Sequence, residues 1–231
     1  MVSGGAMTAG SDVLELQFGL DDVRLLVEEA HRRGLAVTAH AHSVPSVEVC
    51  VAAGVDGIEH CTCLTARGIR TPPPLIGALA ARGIEVCPTF GRVPGLPPSP
   101  QAVEVMRRTG MTLEARFEQV GALFAAGVPI LAGSDAGIHR AKPHGVVAHS
   151  VAELVRSGLP ASAALAAATS AAADACGLGR SRGRLLPGMG ADLLVVEGDL
   201  TGDVAALTRP RLVVLRGRVI ALSDGAPPAR S

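Results

Sequence analysis

The 231-residue sequence has no tryptophan, no tyrosine, only four phenylalanines and a single lysine, Lys142. So few aromatic rings exclude a base-stacking platform for single-stranded nucleic acid. Neither charge is in excess: Lys and Arg number 21, Asp and Glu number 21. The basic footprint that nucleic-acid binding needs is therefore missing. No long hydrophobic run is present either. The longest nearly apolar stretch, VGALFAAGVPILAG at 120–133, contains proline and is shorter than the roughly 20 residues a bilayer-spanning helix needs. Residues 1–12 lack the basic start and apolar core of a signal peptide. The five cysteines (Cys50, Cys61, Cys63, Cys87, Cys176) are odd in number, and most lie within apolar segments. They read as free, buried thiols of a cytoplasmic protein. A small-molecule or dipeptide substrate is the expected partner, with no nucleic acid and no membrane.

What is present has a clear rhythm. The first 19 residues are Gly- and Ser-rich and read as a loop. DDVRLLVEEAHRR (21–33) has helical spacing of apolar residues, acidic residues at its start and Gly34 at its stop. LAVTAHAH then reads as a strand, SVPSVEVCVAAG as a helix ending at Gly54, and VDGIEHC as a strand. PLIGALAAR (74–82) reads as a helix ending at Gly83, and IEVCPTF as a strand. A Pro-rich loop covers 91–100. One or two helices fill 101–126, and VPILAGSDAG is a strand running into a turn. Strand, helix, Gly, repeated, predicts a parallel β/α architecture. Only four strands read clearly up to residue 137, too few for an eight-stranded barrel of about 250 residues. HSVAELVRSGL and an Ala-rich helix over 161–175 follow. The remainder reads as short strands broken by Gly and Pro. The expected division is therefore 1–182, a partial β/α barrel, and 183–231, a small C-terminal β segment.

In parallel β/α sheets functional groups collect at the carboxyl ends of strands. His40 and His42 end one predicted strand on one face, because strand side chains alternate with a period of two. His60 ends the next, and Asp135 ends VPILAGSD. Two imidazoles and a carboxylate form a donor set suited to Zn²⁺ or a similar ion, and the aspartate can also serve as a general base toward water. Smaller signals point to structure: Cys61-Thr-Cys63 lacks the usual zinc spacing, Glu59 faces the other side of its strand, and Ser134 lacks a nucleophile-elbow pattern. Arg180, Arg182 and Arg184 read as a solvated loop.

VTAHAHSVPSVEVCVAAGVDGIEHCTCL resembles the amidohydrolase superfamily, particularly its prolidase-like and imidazolonepropionase-like members. LAGSDAG, then PHG, then AELVRSGLPASAALAAATSAAADACGLG carry the same resemblance, as do LLPGMGADLLVVEGD and RPRLVVLRGRVI. VSGGAMTAGSD also fits, so the resemblance covers nearly the whole chain. It implies the C-terminal half of a TIM-type (β/α)8 metallo-hydrolase barrel with a C-terminal β segment. His40 then matches the metal ligand of the fifth barrel strand and His60 that of the sixth. Asp135 matches the eighth-strand aspartate, which binds metal and moves the proton of the attacking water. His144, in KPHG, matches a position near the substrate mouth, and His42 is a neighbour of the site, either contacting substrate or orienting a ligand by a hydrogen bond. The implied cofactor is a divalent metal, zinc first, as one or two ions. The implied reaction is hydrolysis of an amide-type C–N bond in a peptide or non-peptide substrate, Xaa-Pro dipeptides included.

Two features of the family pattern are missing. No HxH pair lies on a first strand, and no fourth-strand lysine is present, since Lys142 follows Asp135 in a loop. The expectation is a chain that starts inside a longer protein and is weak or inactive alone. The alternative is a non-catalytic half barrel that folds by self-association, as a homo-oligomer, or with a partner.

Overall fold

A computed structural model describes residues 1–8 and 10–220. Its regular elements begin where the local chemistry allows. Helix α1 (Leu20–Arg32) has Asp22 accepting the backbone N–H of Gly19 at 3.1 Å. After strand β1 (Thr38–Ser43), helix α2 (Val44–Ala53) is capped by the Ser43 hydroxyl, which accepts from Ser46 N, and ends at Gly54 in the left-handed region. Strands β2 (Gly57–Thr65) and β3 (Gly68–Ile69) form a short hairpin that the sequence reading lacks. Helix α3 (Pro73–Arg82) ends at left-handed Gly83, and strand β4 (Glu85–Cys87) follows. The 101–126 region holds two helices, α4 (Pro100–Thr109) and α5 (Leu113–Ala125), capped by Ser99 and Thr112.

Strands β1, β2 and β4 lie side by side and parallel, with β2 in the middle. The predicted strand VPILAGSD is not a regular strand. It makes one parallel bridge, Val86 to Ile130, and Ala132 N then donates to the carbonyl of Ala167 at 3.0 Å. On the other side, Val2 N donates to His40 O at 2.9 Å, and Ser3 bridges to Leu16. The opening segment is thus a closed loop laid along β1. Its tightness shows at Gly4, where a Cβ would stand 2.2 Å from the Asp12 carbonyl oxygen.

Helix α6 (Val147–Arg156) buries Val151 and Leu154. The Ala-rich run is not one helix but two, α7 (Ala161–Ala167) and α8 (Ser170–Ala175), with Thr169 leaving helical geometry between them. The hydrogen bond from Ala132 N takes the carbonyl at the end of α7, which a continuous helix would use internally. One core runs from Val2 through Ala41, Val47, Ile58, Leu79, Val86, Leu123 and Leu154 to Val204.

Beyond residue 183, strands β5 (Leu193–Val196), β6 (Pro210–Leu215) and β7 (Arg218–Ile220) form an antiparallel sheet. A 3-10 helix (Val204–Thr208) between β5 and β6 places Val204 in the main core. Arg182 pairs with Asp192, and Arg184 with Asp174, so two of the three clustered arginines are tied down. The end of the predicted C-terminal β segment, 221–231, lies outside the described residues. The chain is a partial β/α barrel with a small C-terminal β segment.

Candidate metal centre and substrate cavity

The site begins with an irregularity in β2. Ala41 of β1 pairs with His60, but Ser43 pairs with Leu64, so β2 carries two extra residues in that interval. His60, Cys61 and Cys63 accommodate them at φ of 66°, 49° and 50°. These are left-handed conformations that cost non-glycine residues about 1–3 kcal/mol each. A bulge re-aims the side chains around it. Two further residues at the mouth share the conformation, Thr89 just after β4 (φ 51°) and Asp135 (φ 50°).

Helix α5 supports the bulge from behind. Buried Arg116 donates to the carbonyls of His60, Cys61 and Pro88, and Gln119 donates to Cys61 O at 3.1 Å and Thr71 Oγ1 at 2.8 Å. Burial lowers the Arg116 pKa to about 10, so it keeps its charge at neutral pH. The sequence signal for this residue is an arginine on the apolar stripe of α5, four residues before Val120 and seven before Leu123.

His40, His42 and His60 come together. Their ring centroids are 4.4–4.7 Å apart, and one nitrogen from each lies within 4.8 Å of the others. Burial holds all three below the usual imidazole pKa, His42 at about 3, with the neighbouring His40 and then Arg116 adding to its shift. They are therefore neutral, the form that ligates metals. Each ring has an orienting partner. His40 Nε2 faces the Gly4 carbonyl at 3.4 Å, which can only accept, so Nδ1 keeps the lone pair. The Thr89 hydroxyl donates to Pro88 O, so it accepts from His60 Nδ1 at 2.7 Å and leaves Nε2 free. His42 Nδ1 meets Thr62 Oγ1 at 2.9 Å. Neutral imidazoles, each held through its second nitrogen, match the usual support of a metal ligand.

The trio opens into a cavity of about 380 Å³ that Asp135, Arg92 and Lys142 also line. Asp135 shares the cavity but not the tight nitrogen cluster, in which His42 stands instead. His144 does not line the cavity. It is exposed, with its ring against Gly137, where a Cβ would stand 3.1 Å from Nε2. The Pro-rich loop contributes Arg92, Pro98 and Ser99, and the turn after Asp135 contributes Ile138, His139 and Lys142. Val93 N donating to Ala141 O at 2.8 Å ties these two segments together. Spacing alone overlooks Thr89, whereas Arg92 and Lys142 lie in the loop 91–100 and the turn 136–145, both candidate substrate contacts from the sequence, without being singled out there.

Cys50, Cys61, Cys63 and Cys87 are free and buried, while Cys176 is exposed. Glu59 accepts from Thr38 Oγ1 at 3.2 Å. Among the described residues no helix is long and apolar enough to cross a membrane.

A partial β/α barrel thus gathers at its strand ends a histidine cluster that could hold a metal ion. The model of the amidohydrolase family matches residues 3–220, and the chain belongs to that family. An uncharacterised protein of Mycobacterium tuberculosis is 35% identical over 207 residues, covering 86% of this chain and 51% of the relative. A Mycobacterium bovis protein matches to the same extent. The chain thus spans about half the length of the curated relatives it matches. Among solved structures, an Xaa-Pro dipeptidase with bound methionine superposes with a TM-score of 0.78 at 24% identity, covering 95% of this chain and 53% of the other. A candidate prolidase from Bifidobacterium longum gives 0.74 at 28% identity, covering 95% and 54%.

Proposed function

We propose that the site hydrolyses an amide-type C–N bond, peptide or non-peptide, with a divalent metal, zinc first, as cofactor. The observation that carries this reading is the cluster of three neutral imidazoles, each oriented through its second nitrogen, beside a carboxylate in one cavity. His40 and His60 would hold the metal, Asp135 would complete the set, and His42 offers a nitrogen within 4.8 Å of theirs. A bound divalent metal supplies Lewis acidity toward water and the scissile carbonyl. Asp135 takes the water proton on a carboxylate oxygen and passes it to the leaving nitrogen. Arg116 and Thr89 keep His60 in its unusual backbone conformation. Residues 1–182 carry this site and 183–231 the β segment, and His144 acts at the outer rim, where substrate enters.

Turnover by the 231-residue chain alone is proposed to be weak. Family membership supports the hydrolase class; the dipeptidase specificity is suggested by the Xaa-Pro dipeptidase and prolidase likenesses. The test is metal titration followed by amide and dipeptide turnover, in the wild type and in Asp135→Asn. Stoichiometric metal and turnover that the variant loses are expected. Turnover unchanged in Asp135→Asn would refute the assignment.

A second reading, a non-catalytic half barrel that self-associates or joins a partner, is favoured by one observation. Leu25 and Leu26 on α1 and Leu194, Val195 and Val219 on the second sheet stand exposed. Metal-free protein that forms a defined oligomer and turns nothing over would support it.

A further inference from the structure

Strand β4 ends at Cys87, and the chain runs on without regular structure into the loop at 91–100. Charged side chains from three other segments hold its backbone there. Arg116 on α5 donates to Pro88 O at 3.3 Å, Lys142 donates from Nζ to Thr89 O at 2.6 Å, and Glu153 on α6 accepts from Gly91 N at 2.7 Å. Of the three, Lys142 touches the residue that bears on the histidines. Thr89 stands at φ 51°, in the left-handed region that a β-branched residue rarely adopts. Its hydroxyl donates to Pro88 O at 2.8 Å and accepts from His60 Nδ1. Among the described residues the Thr89 carbonyl has one hydrogen-bond partner, Lys142. Neither Lys142 nor Arg92, the two cations that line the cavity, is ion-paired among the described residues.

The backbone of Lys142 is anchored just past Asp135. Gly137 N donates to Lys142 O at 2.7 Å, and Lys142 N donates to His139 O at 2.7 Å, so the turn 137–142 closes on itself. Gly137 is at φ 95°, which only glycine adopts freely. Asp135 lies two residues before it in the chain. A continuous path therefore runs from the Asp135 turn through the Lys142 side chain and Thr89 to His60 Nδ1. No other lysine exists in the chain to take this place.

We infer that Lys142 is a positioning residue for the histidine cluster: through Thr89 it holds His60 in the tautomer whose Nε2 is free, and it ties that ring to the turn that carries Asp135. A carbonyl oxygen can only accept, so Nζ is the donor whatever its charge. Without that bond nothing outside the segment holds the Thr89 carbonyl, and a left-handed threonine persists only where its surroundings impose it. The hydroxyl then leaves the line between Pro88 O and His60, and the imidazole loses the acceptor that selects its tautomer. Partners of this kind set the orientation and tautomer of ligating histidines. The inference rests on the reading of His60 as a metal ligand for its metal readout alone.

Two measurements on the full chain test it, and neither needs turnover. In metal-free protein with isotope-labelled histidine, proton–nitrogen correlation spectra report which nitrogen of His60 carries the proton, its signals being those lost in His60→Gln. The wild type is expected to carry it on Nδ1, and Lys142→Met to mix the two tautomers. Titration with Zn²⁺ alone should show affinity about tenfold weaker in Lys142→Met, the lower end of what losing a ligand's supporting partner costs. Lys142→Arg, which can still donate to Thr89 O, should recover most of both. In Thr89→Ala, which lacks the hydroxyl, Lys142→Met should add no further loss, because the two residues act in series. Lys142→Gln takes the place of Lys142→Met if the latter does not fold. An unchanged His60 tautomer in the lysine variant, or losses that add in the double variant, would overturn the inference. A shifted tautomer in a protein whose wild type binds no Zn²⁺ would leave it standing and sink the hydrolase reading. Zn²⁺ binding and amide turnover with a tautomer indifferent to Lys142 would do the reverse.

Discussion

Strands β1, β2 and β4 and the antiparallel sheet of β5, β6 and β7 are both built from short apolar runs, yet water meets them differently. In the first, Ala39, Ala41, Ile58 and Val86 are all 8% exposed or less. In the second, Leu194, Val195, Leu215 and Val219 are 48–67% exposed. The connections account for the difference. Parallel neighbours need crossovers, and the crossovers here are helices that cover the sheet. The β6–β7 pair turns through Arg216 and Gly217, which brings no covering element. Apolar sequence makes a sheet available for burial, and the chain path decides whether burial occurs. The site follows the same rule: it sits on the covered sheet, where β2 can hold strained residues because helices pack against it.

The largest effect should come from the site itself. His60→Ala removes one donor of the cluster and the link to Thr89. Removing a supporting contact of a metal ligand typically costs 10–100-fold, so losing the ligand should cost at least about 100-fold in metal affinity. Metal titration checks this, and unchanged affinity would remove His60 from the centre. Next is the core under the covered sheet. Leu79 is fully buried, so Leu79→Ala should lower unfolding free energy by about 2–5 kcal/mol in urea titrations. A loss no larger than that of an exposed residue would dissolve the contrast between the two sheets.

A third effect is pH dependence in metal-free protein. Burial depresses the His42 pKa from 6.5 to about 3. The unfolded chain therefore binds more protons between those values. Stability is full above about pH 6.5 and falls toward pH 3, by up to about 1.4 kcal/mol per pH unit for one such group. His42→Gln should flatten the slope, and an identical slope in wild type and variant would refute the assignment. The smallest effect belongs to the second sheet. Val219→Thr should change stability by no more than about 0.5 kcal/mol, read from the urea midpoint. A larger loss, or a change in molecular mass by light scattering, would mean that another surface covers this face.

That His40, His60 and Asp135 share one mouth was legible from the β/α rhythm, although Asp135 follows a single bridge and not the regular strand expected there. The closeness of His42 to His40 was legible from the alternation of strand side chains. Its entry into the nitrogen cluster was not, because that depends on the two extra residues in β2, and no local pattern marks a bulge of this kind. Arg116, Thr89 and Arg92 escaped notice for a related reason. Their neighbours lie in other segments: Arg116 meets His60 and Pro88, and the loop that carries Arg92 is tied to the turn of Lys142 by Val93 N donating to Ala141 O. His144, which motif position places near the substrate mouth, stands exposed against Gly137, outside the residues that line the cavity.

The sequence by itself determined the β/α alternation, the helix stops at Gly54 and Gly83, the chemical types of the donors and the family. These depend on hydrophobic periodicity, backbone allowance and residue identity, which are properties of short stretches. Only the tertiary structure decided which imidazole nitrogens converge, which cations remain unpaired, where the Ala-rich run breaks and which sheet is covered. Those outcomes depend on contacts between residues tens of positions apart. A shift of one or two residues in register, as in β2, redirects a side chain without altering any local pattern.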